Sequence, residues 1–365
     1  MDNIITYAKN IIFTFEELPF NEVDSLIFSW LSYLKFPDEF KELKTPKGIF
    51  IKDLFHKEYF EDMVKGIQAP EETLKLIKEL SSNPRFKDVK MMCFSQELNK
   101  EKNIQFAAVT FRINSKLIYV AYRGTDNTFT GWKEDFELAL EVPIPSQKRA
   151  VEYIEEIGKT FDDKIMVGGH SKGGNLAVYS SAKCNKDIQN RIQAIYSYDG
   201  PGFSAEELEF TGFKNIQNRI YKILPQSSLI GMFFEQESEY KIIRSNEIGI
   251  GQHNPFSWEI KGTNFYVKDE LTTNARILYK GINSWILNLN VDERKKFINT
   301  IFEILEETGA SSFDELGANF QKNIPIIAKK IMSLDKETRK FILCSLRDLA
   351  TDSVKNVPDV LKDNK

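Results

Sequence analysis

Gly169-His170-Ser171-Lys172-Gly173 forms a G-x-S-x-G pentapeptide. A serine hydroxyl attacks a carbonyl only when a base takes its proton and nearby N–H groups stabilise the charge that develops on the carbonyl oxygen. The pentapeptide serves that chemistry when the serine sits on a sharp turn between a buried strand and a helix. Both flanks fit. Lys164-Ile165-Met166-Val167-Gly168 reads as a strand, and Gly174-Asn175-Leu176-Ala177-Val178 opens a helix rich in small residues. Glycine two positions either side of Ser171 removes the Cβ atoms that would crowd so tight a turn. The Lys172 N–H, at the helix N-terminus, is then aimed at a developing oxyanion. An idle serine in a glycine-rich turn is the plainer reading of the same letters.

Histidine is the usual base, and the chain has three. His170 adjoins the nucleophile, but its side chain leaves the elbow in another direction. His56 precedes the sheet. His253, in Gly249-Ile250-Gly251-Gln252-His253-Asn254, follows the last strands in a glycine-flanked loop, where hydrolases of this chain order place the base. The orienting carboxylate should fall between serine and histidine at a strand end. Asp199, in Tyr198-Asp199-Gly200-Pro201-Gly202, meets that requirement, and a turn-forming aspartate is its alternative. A second oxyanion donor is expected from the loop Tyr122-Arg123-Gly124-Thr125-Asp126, with Thr125 as the candidate. The alternative there is an ordinary polar loop with Arg123 in a salt bridge.

These residues need a sheet to hold them. Val89–Phe94, Gln105–Phe111, Lys116–Tyr122, Lys164–Gly168, Ile192–Tyr198, Arg219–Leu224 and Tyr240–Arg244 are short, apolar and bounded by polar turns, so they read as strands. Helices are expected around Gln147–Phe161 and from Gly174 to about Ala182. Alternating strands and helices imply a mostly parallel sheet covered on both faces. The fold class is therefore α/β, an α/β-hydrolase fold with helical additions at both ends. Residues 1–85 are expected to pack on the core as a helical region, with one helix from about Ser25 to Leu34 and another opening at Pro70-Glu71-Glu72. Residues 86–268 form the catalytic core. Residues 269–365 form an α-helical region with stretches at Arg294–Leu305, Asn323–Met332 and Glu337–Leu349.

At the serine and oxyanion-loop segments the chain resembles the class 3, fungal-lipase-like α/β-hydrolases. The shared pieces are Val120-Ala121-Tyr122-Arg123-Gly124-Thr125, Gly131-Trp132-Lys133-Glu134-Asp135 and Gly169-His170-Ser171-Lys172-Gly173-Gly174-Asn175-Leu176-Ala177, in matching order over about residues 88–260. The resemblance implies an acyl-ester hydrolase with Ser171 as nucleophile, His253 as base, and the Lys172 and Thr125 amides as oxyanion hole. Two departures stand out. Lys172 replaces a common leucine and is expected to put a charge near the pocket mouth. The loop after Arg219–Leu224, where those lipases carry their acid, reads Pro225-Gln226-Ser227-Ser228 without a carboxylate, so Asp199 would act from one strand earlier. Tyr-Asp-Gly-Pro-Gly and the late Gln-His resemble more closely an uncharacterised bacterial branch of lipase-like hydrolases.

Composition bounds the remaining classes. The chain has 365 residues, 42% hydrophobic and 28% charged, with a net charge of −4. That balance argues against nucleic acid as a partner. Three separated cysteines, Cys93, Cys184 and Cys344, suggest neither a disulfide framework nor a zinc site. No cofactor or metal is required, and no signal-like or spanning segment is read from the sequence, so a cytoplasmic protein is expected. The substrate class is a small-molecule or lipid acyl ester, cleaved by a serine hydrolase of the EC 3.1.1 type. Oligomeric state is open, as is peripheral membrane contact. Ser228–Phe234 reads as a lid or acyl contact, or simply as core. The second functional reading is a catalytically weak hydrolase-fold module whose helical flanks bind a partner, motivated by Lys172 and the missing late carboxylate.

Overall fold

The computed structural model describes residues 2–99, 104–126, 133, 138, 143–233, 239–310, 315–316 and 319–355. They fall into two compact units: residues 1–124 with 145–271, and residues 125–144 with 272–365.

The first unit is built on a nine-stranded sheet: β1 (Ile49–Phe50), β2 (Lys90–Asn99), β3 (Ile104–Asn114), β4 (Leu117–Tyr122), β5 (Lys164–His170), β6 (Ile192–Tyr198), β7 (Ile220–Pro225) and β8 (Tyr240–Ile243), closed by an edge strand near residue 267. A small pair, β9 (Ile260–Lys261) and β10 (Asn264–Phe265), precedes that edge strand, β11 (Val267–Lys268). From β4 to β8 every neighbouring pair is parallel. The leading strands and the β8–β11 pair are antiparallel. Parallel strands buried on both faces need continuous apolar runs, and β4, parallel to β5, supplies one. This is an α/β-hydrolase fold, as expected from the alternation of strands and helices.

Strands β4 to β8 lie side by side in chain order. Right-handed crossovers between such strands put their helices on one face. The helices Pro145–Thr160 and Lys172–Lys183 occupy it, and Tyr122 reaches that way to donate to the Ala150 carbonyl at 2.8 Å. The opposite face is covered by the N-terminal segment. The helix Glu22–Leu31 is buried along nearly its whole length, and Ser25 and Ser29 hydrogen-bond the Tyr119 hydroxyl of β4 at 2.8 and 2.7 Å. Arg85 and Asp24 lock this layer, as both side chains are fully buried and pair through Nη2–Oδ2 at 2.5 Å and Nε–Oδ1 at 2.8 Å. Arg85 also donates to the carbonyls of Phe13 and Leu18.

The early segment is less helical than its composition suggested. Helices at Ile4–Asn10, Glu22–Leu31 and Pro70–Ser82 alternate with 3-10 turns and the short β1, which pairs with β2. A two-residue strand carries too little pattern to be read from sequence.

The second unit is helical where described: Thr273–Asn288, Val291–Glu306, Phe320–Ser333 and Lys336–Lys355. Asn290 and Glu293 form a capping box at the start of the second of these. Ile298 and Phe302 anchor a small apolar cluster, and the Trp285 and Phe297 rings meet edge to face at 4.8 Å. No helix among the described residues is long and apolar enough to cross a membrane.

Candidate active site

Strand β5 ends at His170, and the helix Lys172–Lys183 begins directly after Ser171. Ser171 bridges them with φ 60° and ψ −133°, a conformation that costs a non-glycine residue of order 1–3 kcal/mol. Its N–H donates to the Tyr198 carbonyl of β6 at 2.8 Å, and its carbonyl accepts from the Gly174 N–H at 2.9 Å. These bonds hold the strained turn. The flanking glycines have no substitute: a Cβ at Gly169 would strike the Gly173 backbone, and one at Gly173 would strike the Tyr122 carbonyl. Main chain cannot give way as a flexible side chain can.

Asp199 follows β6, with φ 49° and its N–H bonded to the Ile223 carbonyl of β7 at 2.9 Å. Its carboxylate is buried and fully engaged. Oδ1 accepts from the Ser228 hydroxyl and from the Gly231 N–H at 3.2 Å. Oδ2 lies 2.6 Å from His253 Nδ1. Main-chain and hydroxyl donors on one oxygen leave the other to face the imidazole.

His253 closes a 3-10 turn, Gly249–His253, after β8. Gln252 pins this turn: its Oε1 accepts from the Ser227 N–H at 2.8 Å, its Nε2 donates to the Glu247 carbonyl at 2.9 Å, and its own carbonyl accepts from the indole of Trp258 at 2.7 Å. The His253 side chain is 11% exposed, so most of it is shielded from solvent.

Three histidines resolve into three situations. His56 precedes a 3-10 turn in the N-terminal segment, beside Tyr59. His170 is buried, with its ring 4.5 Å from that of His253 at 37°. Its Nδ1 lies 3.0 Å from the Tyr33 hydroxyl and its Nε2 lies 2.8 Å from the His253 carbonyl. Burial, and secondarily the neighbouring His253, push its pKa well below the ordinary imidazole value.

The structure thus brings Ser171, Asp199 and His253 to the ends of β5, β6 and the post-β8 turn within one unit. The elbow also receives the loop after β4, because a Cβ on Gly124 would lie 3.0 Å from the Ser171 Cβ. Thr125, the next residue, opens the second unit. Gly131, Trp132, Glu134 and Asp135 lie outside the described residues.

One expectation is corrected. Lys172 does not place a charge at a pocket mouth: its side chain is fully buried, and Nζ donates to the Gln105 carbonyl of β3 at 3.0 Å. The buried N-terminal turn of the helix directs the stem inward, where the ammonium needs a carbonyl partner.

Residues 80–303 match the family described as Mbeg1-like. The chain belongs to the Mbeg1-like family. No curated protein matches it. Among solved structures, this Mbeg1-like chain is similar to the Lip2 lipase of Yarrowia lipolytica, at 14% identity and a TM-score of 0.33, covering 54% of this chain and 75% of that one. It is also similar to lipase II of Rhizopus niveus, at 13% identity and TM-score 0.37 over 66% and 88% of the two chains. A lipase of Rhizopus microsporus var. chinensis gives 15% identity and TM-score 0.37 over 66% and 84%.

Two parts of this Mbeg1-like site were not found from sequence. The loop Pro225-Gln226-Ser227-Ser228 was noted for lacking a carboxylate, but it supplies the hydroxyl that holds the carboxylate of the preceding strand. The apolar Ser228–Phe233 portion wraps Asp199: Ser228, Gly231 and Met232 are buried, and the Phe233 carbonyl accepts from the Gly202 N–H at 2.7 Å. Phe234 lies outside the described residues. The second missed part is the hydrogen bond between the His170 ring and the His253 carbonyl, which no periodicity could signal.

Proposed function

We propose that the protein is a serine hydrolase that cleaves a carboxylic ester, a lipid or other acyl ester, through an acyl-enzyme on Ser171. The observation that carries this reading is the 2.6 Å contact between Asp199 Oδ2 and His253 Nδ1, set beside a serine in a strained strand-to-helix turn. A carboxylate on Nδ1 holds the imidazole in the tautomer that leaves Nε2 free to act as base.

In the proposed reaction, His253 Nε2 takes the Ser171 hydroxyl proton as Oγ bonds to the acyl carbonyl carbon. The oxyanion is stabilised by the Lys172 N–H at the helix N-terminus. His253 returns the proton to the departing alcohol as the ester bond breaks. Water then gives a proton to His253 and its oxygen to the acyl carbon, and His253 passes that proton to Ser171 Oγ as the acyl–Oγ bond breaks, releasing the acid and restoring Ser171. The steps need no metal or cofactor. Within this reading belong a cytoplasmic location, the bacterial lipase-like branch resembled by Tyr198–Gly202 and Gln252-His253, and substrates soluble or presented at a membrane surface.

Two observations favour this reading over a non-enzymatic module: Lys172 is buried on the Gln105 carbonyl, and the Asp199 carboxylate lies on His253 Nδ1. Labelling with a fluorophosphonate tests the proposal. Wild type should label on Ser171, Ser171→Ala should not, and His253→Ala should label far more slowly. A folded wild type that stays unlabelled would overturn it.

A further inference from the structure

His253 is carried by a turn containing Gly249, at φ 54°, and Gly251, next to Ile248, which is 85% exposed. Glycines and an exposed loop tip do little to fix a main chain. Gln252 and Trp258 tie the turn to its own side of the site, but neither joins it to the elbow. One further bond does so directly, joining His170 Nε2 to the His253 carbonyl at 2.8 Å across 83 residues of chain. His170 is covalently next to Ser171, so this bond ties the His253 main chain to the residue that adjoins the elbow serine.

The protonation of His170 follows from its partners. A carbonyl oxygen only accepts, so Nε2 must carry the proton. Burial keeps the ring neutral, with the neighbouring His253 acting in the same direction. Nδ1 is then bare and accepts from the Tyr33 hydroxyl at 3.0 Å. The Trp30, Tyr33 and Trp258 rings surround the imidazole at 5.9–6.0 Å. The titratable groups facing it are Tyr33 and His253, with Asp199 beyond His253.

We propose that His170 is a positioning residue for His253, its Nε2 proton clamping the His253 carbonyl while its ring backs the base's ring at 4.5 Å. The proposal rests on the reading of Ser171, Asp199 and His253 as a triad. The imidazole is thus held by Asp199 at Nδ1, by His170 at its main chain and by the His170 ring on one face, which leaves Nε2 outside all three contacts. A neutral ring behind it adds no charge repulsion when His253 takes up the serine proton.

The experiment compares wild type, His170→Phe and His170→Gln in fluorophosphonate labelling rate and in steady-state hydrolysis of p-nitrophenyl butyrate. Phenylalanine keeps a ring and loses the donor; glutamine can place an amide N–H near the Nε2 position. His170→Phe should lower kcat and the labelling rate by roughly 10- to 100-fold, as expected for a misplaced catalytic group, with KM little changed. His170→Gln should recover most of the loss. A residue that merely supports the fold would not give that split or that rescue. If folded His170→Phe labels as fast as wild type, the positioning role fails and the triad stands. If wild type itself does not label, the triad fails and the positioning role falls with it. A second measurement does not depend on activity or on a variant folding: nitrogen-15 NMR of the three wild-type histidines. His170 should be the neutral Nε2–H tautomer throughout the folded pH range. A proton on Nδ1, or an imidazolium, would overturn the clamp.

Discussion

Asp199 and His253 meet at 2.6 Å through Oδ2 and Nδ1, although 54 residues of chain separate them. Each arrives on its own secondary-structure element. Asp199 caps β6 and is tied to β7 by its N–H, while His253 ends a turn pinned by Gln252 and Trp258. The pairing therefore depends on the parallel register of β5 to β8 and not on any local motif.

Replacing Asp199 by Asn should leave the fold intact and lower kcat for a short-chain p-nitrophenyl ester by about 10⁴-fold. Asparagine can present an amide N–H to Nδ1 and favour the wrong tautomer. Circular dichroism should match wild type. A rate within a few-fold of wild type, at unchanged Ser171 dependence, would remove Asp199 from the mechanism.

Ser228→Ala tests the carboxylate's other oxygen. Loss of a hydrogen bond to a buried charged group costs about 1.5–3 kcal/mol, so both stability in urea and kcat should fall. Gly231→Ala should be more severe, because its Cβ would sit 2.5 Å from Asp199 Oδ1. Unaltered urea midpoints in both variants would show that Ser228 and Gly231 do not hold the carboxylate.

Acid should weaken the fold through His170. Its folded pKa lies well below that of an unfolded histidine, about 6.5. Below that pH the unfolded chain binds a proton that the folded chain refuses, so stability rises with pH in this window and falls as pH drops through it. Urea midpoints followed from about pH 7.5 downward should decline, and His170→Gln should flatten the slope below about pH 6.5. A wild type and variant with parallel profiles would contradict this assignment.

Arg85→Met should be strongly destabilising, by about 3–5 kcal/mol, since it strands the buried Asp24 carboxylate. The loss should appear as a lower thermal midpoint, with proteolysis beginning in the N-terminal segment that covers the sheet. Pairing it with Asp24→Leu should restore part of the stability, because two apolar groups leave no buried charge. If the double variant is no better than the single one, the site matters for something other than charge compensation.

The seven strands read from sequence appear in the structure, with boundaries moved by a few residues at β2 and β3. Their β-branched and aromatic runs are long enough to show the pattern. The elbow was equally legible, because its glycines, strand and helix are adjacent in the chain. The two-residue strands β1, β9, β10 and β11 were not, since two residues set no period.

Local sequence therefore determined where the chain turns, which segments are buried strands, and that Ser171 stands at a strand-to-helix elbow, because strand alternation, glycine freedom and helix starts act between near neighbours. Tertiary structure alone decided that Ser228 and Gly231 hold Asp199, that Lys172 points inward to Gln105, and that His170 is bonded to His253. Those contacts join residues 29 to 83 positions apart, through side-chain directions that exist only once the sheet has formed and water has been excluded. Hydrogen bonding of buried polar groups, required but not addressed by any periodic signal, selects their partners in space.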